Sequence, residues 1–409
     1  MSDAVDTSIP AVVLNCTTHG GLAAVRSLGR LGVSVYAIDG LRTTPGFFSR
    51  YIKTGFTWDI NTEPPDKSLR FLETVYNRIG ARSVLFPTSD IAAVFVSNHA
   101  AQLSKWFIFP LQDPDLVTSL CSKKEMYYLA KKWNVGTPET AFPQSIQDVA
   151  QYLESAQLPV LVKPVKSGPK AFDFHLAHSK YELLDLCKSI WDKSSTELIL
   201  QEYIPGDDSM TFVVNGYFNV QSDCLLAFSG RKLRNFRPYF GACCLGVCQY
   251  NEHVLHTTIN FMKSIGYRGP LDLGYRFDVR DGRYKVLDIN PRVGSMFRLF
   301  VGDNGIDVVR ATYLDMTRQQ VVASPACEGR KWLAEDCDWF SGLRYYRDGK
   351  LSFRDWRRSL QDVDEMSYFA KDDLWPLAGL MTMQLRWAWS GGRKMLARAK
   401  PKCTPIGLA

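Results

Sequence analysis

Asp281-Gly282 separates two short stretches in which apolar and polar residues alternate, and a two-residue turn of this kind joins neighbouring antiparallel strands. The predicted hairpin runs from Gly274 to Asn290 and turns at residues 280–283. Successive side chains of a strand point to opposite faces, so Asp288 and Asn290 share one face of the second arm. Asp272 stands on the partner strand. Leu273, Val286, Leu287 and Ile289 read as strand in a packed sheet, which argues against a solvent-facing edge with incidental acids. Two carboxylates and an amide converging in apolar surroundings make a hard-oxygen site of the kind that holds Mg2+ beside phosphate oxygens.

Upstream, short apolar runs alternate with helical spacing. Strands are predicted at 11–15, 33–39 and 83–86, and helices at 22–31, 67–79 and 90–103. This alternation predicts a doubly wound parallel sheet. The first turn contains Gly20-Gly21 but no G-x-G-x-x-G, so Asp39 is not read as the ribose acid of a nicotinamide-binding domain. From Lys123 the pattern changes to a mixture of helices (123–133, 146–153, 254–265) and strands (159–163, 198–203, 210–214, 224–228). Beyond about residue 320 the chain reads as helical and rich in tryptophan, with Trp332, Trp339, Trp356, Trp375, Trp387 and Trp389.

In this order the elements resemble the ATP-grasp superfamily, carboxylate–amine ligase type, which includes D-aspartate ligase-like members. The resemblance covers about Val12 to Tyr313. Ser122-Lys123 with Val135-Gly136-Thr137-Pro138 is similar to the opening helix whose lysine reaches the nucleotide phosphates. The strand ending at Lys163-Pro164 resembles the one bearing the second phosphate-binding lysine, and Ser167-Gly168 stands where a phosphate-covering loop is expected. The run from Ile199 to Gly206 resembles the adenine hinge. By that similarity the backbone of Gln201, Glu202, Tyr203 and Ile204 reads adenine, and Asp208 holds the ribose. Asp272, Asp288 and Asn290 match the metal-ligand triad, with Asp288 at a position more often occupied by Glu. Leu85 to Asp90 resembles a strand end lining the substrate cleft. Arg231, Lys232 and Arg234 form a basic run resembling one in carboxylate–amine ligases. Some relatives carry an arginine where this chain has Pro270; Arg292 is the first candidate for its catalytic role, with Arg231 and Arg268 as alternatives.

The resemblance implies an α/β and α+β architecture: a pre-ATP-grasp Rossmann-like domain (1–115), ATP-grasp subdomains A (116–197) and B (198–320, with the metal site), and a helical C-terminal extension (321–409). It implies an enzyme that uses ATP and Mg2+ (two ions, with Mn2+ as the substitute) to join a carboxylate to an amine through an acyl phosphate. The alternatives are a carboxylase or carbamoyl-forming enzyme, or a nucleotide-binding protein without catalysis. The expected partners are small-molecule, glycan or peptide substrates, and a homodimer is compatible with the superfamily.

Composition narrows the setting. Apolar residues make up 46% of the 409 and charged residues 22%, as in an ordinary soluble protein. Ten cysteines without a CxxC pair predict a reduced, cytoplasmic environment, and Met1 to Pro10 lacks the basic start of a signal peptide. The Cys243/Cys244/Cys248 group and the pairs His175/His178 and His253/His256 have no zinc-type spacing and are read as structural. Much of the net charge of +7 comes from residues 386–409, with Arg386, Arg393, Lys394, Arg398, Lys400 and Lys402 and no acid. Charge so concentrated argues against a general nucleic-acid surface. Residues 374–398 read as a helix docked on the ligase core, with a weak peripheral contact to an anionic membrane as the alternative.

Overall fold

The computed structural model describes residues 5–165, 174–238 and 241–389. Ser167 and Gly168 lie outside these residues, as does the basic tail beyond Trp389.

The predicted parallel sheet comprises β1 (Ala11–Leu14), β2 (Val35–Asp39), β3 (Ile52–Thr57), β4 (Ser83–Pro87) and β5 (Phe107–Ile108), in the order β3-β2-β1-β4-β5. All four of its pairings are parallel. β1 and β2 are buried throughout, as strands covered on both faces must be. The edge strand β3 alternates half-exposed and exposed positions around Lys53 and Thr54, and so gives no apolar run to recognise.

A second sheet contains β6 (Thr140–Ala141), β7 (Val160–Pro164), β8 (His175–Ala177) and β9 (Leu198–Glu202), in the order β6-β9-β7-β8. Val160, Val162, Leu198 and Leu200 bury one face of it under helices Ile146–Ser155 and Lys180–Trp191. The other face carries Leu161, Lys163 and Gln201.

The third and largest sheet joins β10 (Thr211–Phe218), β11 (Cys224–Phe236), β12 (Ala242–Cys248), β13 (Gly269–Asp278), β14 (Arg283–Asn290), β15 (Lys331–Leu333) and β16 (Glu365–Met366). Its order is β14-β13-β10-β11-β12-β15-β16. Leu271, Leu273, Tyr275, Val286 and Ile289 pack one face against Met126, Ala130, Val254 and Phe261. Val213, Tyr217, Leu226 and Phe228 pack the other face into a core shared with the parallel sheet and its first helix, His19–Leu31. The C-terminal region carries the expected helices, Glu335–Arg347 and Trp375–Trp389 among them, and adds β15 and β16 to the sheet edge. No helix among the described residues is long and apolar enough to cross a membrane.

One buried arginine ties the two ends of the chain together. Arg26, 2% exposed, donates from Nε to Asp373 Oδ2 at 2.9 Å, and from its terminal nitrogens to the carbonyls of Ser367 (3.0 Å), Tyr368 (2.6 Å) and Asp373 (3.0 Å). Asp373 also accepts from the Ser49 hydroxyl at 2.7 Å and the Arg50 amide at 2.8 Å. This anchor brings helix Trp375–Trp389 onto residues 45–48, where Gly379 lies against Pro45 and Phe48. Truncating Arg26 leaves a carboxylate and three carbonyls buried without their donor. Arg26→Ala is expected to lower the unfolding free energy by about 3–5 kcal/mol in urea titrations, the range for removing one partner of a buried ion pair.

Candidate active site

β13 lays two acids, a glycine and an arginine on one face of the large sheet: Asp272, Gly274, Arg276 and Asp278, at the strand's period of two. Its register with β14 pairs Asp272 with Asn290 and Gly274 with Asp288. All three predicted metal ligands therefore meet. Asn290 Nδ2 lies 3.1 Å from Asp288 Oδ2 and 3.4 Å from Asp272 Oδ2. Burial pushes the Asp272 carboxyl above its usual range, while the nearby Arg292 charge opposes the rise. Between these groups Gly274 opens room, since a methyl built on it would meet nothing within 4 Å.

Lys163, on the open face of β7, donates to Gln201 Oε1 at 2.8 Å. Its ammonium is lowered from 10.5 to about 8, chiefly by burial and then by the like charge of Lys123, with Asp288 opposing both. The other predicted lysine and one predicted metal ligand thus both act on the Lys163 ammonium. Lys123 reaches this position because Ser122 caps helix Lys123–Lys132, leaving Lys123 as its first residue.

The hinge leaves β9 at Glu202 and passes through Tyr203 and Ile204. Arg276 fixes its path, donating to the carbonyls of Ile204 (2.9 Å) and Gly206 (2.6 Å) and to Thr211 Oγ1 (3.2 Å). The Glu202 carboxylate accepts from Lys285 at 3.2 Å, from Arg280 and from the Glu139 amide at 3.1 Å. Lys285 also donates to Asp278 at 2.7 Å, and the hydrogen bonds of Arg280 hold the Asp278 carboxyl well below its usual range. Asp208 is buried beyond the hinge. Its Oδ2 accepts from the Tyr345 hydroxyl and from the Asn235 amide at 3.2 Å.

The candidate arginines separate. Arg292 Nε donates to Asp90 Oδ1 at 2.6 Å, which joins the end of the parallel sheet to the metal-ligand cluster, and Arg292 also donates to Asn290 Oδ1 at 2.9 Å. Arg268 extends toward the Leu111 carbonyl, 3.5 Å away. Arg231 pairs with Phe212, and Gly230 with Val213. That register turns Arg231 toward the face opposite Asp272 and turns its neighbour Lys232 toward Asp272. Lys232 is accordingly among the charges that bear on the Asp272 carboxyl. Arg234 is buried on Asp338, 2.6 Å away.

Two glycines permit the close fit around Asp272. A methyl on Gly294 would lie 2.5 Å from Asp272 Cγ, and one on Gly20 would lie 2.6 Å from the Gly294 carbonyl oxygen. The start of helix His19–Leu31 thus abuts the loop that crosses the acid. Asp39 holds Thr17 and Thr44 through hydrogen bonds of 2.8 Å and braces this turn.

No family model matches the chain. Over 293 residues it is 27% identical to a D-aspartate ligase of Enterococcus faecium (strain Aus0004), covering 67% of this chain and 68% of that protein. Its structure is similar to that of N5-carboxyaminoimidazole synthetase from Staphylococcus aureus complexed with ADP, with a TM-score of 0.62, 11% identity, and 80% and 82% of the two chains covered. It is also similar to an L-amino acid ligase from Bacillus licheniformis, with a TM-score of 0.58, 14% identity, and 77% and 76% covered. The chain has the ATP-grasp fold. Its resemblance to carboxylate–amine ligases is borne out as well.

Three features of this region escape a residue-by-residue reading. Arg276 was detectable in principle, because it lies on the same face of β13 as Asp272. Lys232 stands in the basic run, but that it and not Arg231 faces Asp272 required the register of β11 on β10. Tyr345 required a contact across 137 residues and had no sequence signal.

The position of Lys163 generates a pH prediction. Phosphate binding favours the ammonium, so a nucleotide should raise its pKa and be bound with uptake of a proton near pH 8. ATP affinity measured by calorimetry is expected to fall from pH 7 to 9, and Lys163→Arg to flatten the dependence. In the free protein the lowered value means that the unfolded chain binds more protons between about 8 and 10.5, so this group makes stability rise with pH across that window.

Proposed function

We propose that the chain is an ATP-dependent ligase that joins a carboxylate to an amine, with Asp272, Asp288 and Asn290 as ligands of Mg2+. The reading is carried by the convergence of these three side chains on adjacent strands, opposite the ammonium groups of Lys163 and Lys123. The donor set fits the ion: two carboxylates and an amide oxygen are hard ligands, few enough to leave positions for phosphate oxygens and water. Asp272, Asp288 and Asn290 would hold Mg2+, which when bound would supply positive charge to offset the negative charge of the nucleotide phosphates. The similarity to a D-aspartate ligase supports an amino acid as one substrate.

A carboxylate repels an incoming amine and is a poor electrophile. Attack of its oxygen on the γ-phosphorus of ATP forms an acyl phosphate and releases ADP. The amine nitrogen then attacks the acyl carbon and gives up a proton to solvent, the bond to the phosphate oxygen breaks, and phosphate leaves with that oxygen. Lys123 and Lys163 hold α- and β-phosphate oxygens, and the backbone from Gln201 to Ile204 receives adenine. Arg292 faces the charge that develops on the transferred group, from a position fixed by Asp90. Lys232, rather than Arg231, supplies the second cation on that side.

The test uses carboxylates labelled with 18O, amino acids of both configurations among them, each with MgATP and a panel of amines. Label is expected to appear in inorganic phosphate only when acid and amine are both turned over; product with unlabelled phosphate would exclude the route. Asp288→Ala should stop ADP release while leaving the thermal melt near that of the parent, and turnover close to wild type would remove the metal assignment. Lys232→Ala is expected to slow ADP release at least tenfold, and Arg231→Ala to change it by less than about threefold, on the scale of losing one charge-stabilising group.

A further inference from the structure

Helix Glu335–Arg347 belongs to the C-terminal region, yet it is bolted to the nucleotide side of the large sheet. Its buried residues Asp338, Ser341, Gly342 and Tyr345 form one stripe. Asp338 accepts from Arg234 Nε at 2.6 Å and from Trp356 Nε1 at 3.0 Å, which locks the helix onto β11. Two turns further along, the Tyr345 hydroxyl donates to Asp208 Oδ2.

Asp208 is only 6% exposed. Its Oδ2 has two donors, Tyr345 and the Asn235 amide, whereas Oδ1 is buried and has no hydrogen-bond partner among the described residues. An ionised carboxylate only accepts hydrogen bonds, so Oδ1 calls for a donor such as a hydroxyl and repels a phosphate. An unpaired buried acceptor is costly, and a ligand that satisfies it gains correspondingly. The backbone here is also fixed relative to the hinge, because Arg276 holds the Ile204 and Gly206 carbonyls.

We propose that Tyr345 is a positioning residue of the nucleotide site: it fixes Asp208 through Oδ2 so that Oδ1 receives a ribose hydroxyl of ATP. This rests on the reading of the cleft as an ATP site and of Asp208 as its ribose ligand. It makes the C-terminal helix a working wall of that site.

The experiment compares binding of ATP and 2′,3′-dideoxy-ATP, each with Mg2+, to the full chain by calorimetry. The wild type should prefer ATP at least tenfold, the scale of a hydrogen bond to a charged group. Tyr345→Phe retains the ring and loses one oxygen. It should cut the preference at least threefold, through weaker ATP binding, with dideoxy-ATP affinity unchanged. Asp208→Asn is a second variant and should reduce the preference in the same way. An undiminished preference in either variant overturns the proposal, as does a wild type that binds both nucleotides equally. A wild type that binds neither nucleotide overturns the ATP-site reading and this proposal with it.

Discussion

The alternation of side chains along β13 is the constraint on which the cleft depends. A strand offers one face to the helices behind it and the other to whatever lies in front, with no intermediate choice. Here the rear face is apolar and sealed by Leu271, Leu273 and Tyr275. The front face therefore presents Asp272, Arg276 and Asp278 in a line, with the open surface of Gly274 between the first two. Sliding the strand by one residue would bury two acids and an arginine among the helices, a rearrangement that the cost of burying unpaired charge forbids. The candidate metal ligand Asp272, the hinge support from Arg276 and the ion network at Asp278 are thus held in register by one apolar stripe.

The far end of that line stiffens the connection between the two antiparallel-rich sheets. Asp278, Lys285, Arg280 and Glu202 form a linked set of ion pairs between the β13–β14 turn and the end of β9. Single exposed pairs contribute little, but here Asp278 and Glu202 are largely buried and each carboxylate has more than one cation. The peptide groups of the hinge are consequently held from both sides, by this network and by Arg276.

Much of this was legible in the sequence because it is local. The Asp281-Gly282 turn fixed the hairpin, and period two then put Asp288 and Asn290 together. The parallel sheet was visible at its buried strands β1, β2 and β4 and missed at both edges, at β3 because its pattern is polar and at β5 because it is only two residues long. What could not be read depended on register across strands. Whether Arg231 or Lys232 faces the acids is a matter of parity, set by the pairing of β11 with β10 and not by either residue's chemistry. β12 escaped notice because cysteines and a glycine interrupt its apolar pattern, although Cys243, Cys244 and Cys248 are simply buried core. The partnership of Asp208 with Tyr345 is a tertiary accident of the C-terminal helix that no local rule announces.

Asn290 has a single amide oxygen, and it points away from the two carboxylates toward Arg292, while its nitrogen faces them. For that oxygen to join Asp272 and Asp288 around a cation, as the proposed reading asks, the amide would have to rotate by about half a turn, and the guanidinium would lose one of its three acceptors while keeping Asp90 and the Val293 carbonyl. Cation binding at this cluster would in that way loosen one of the three contacts that hold Arg292 in place.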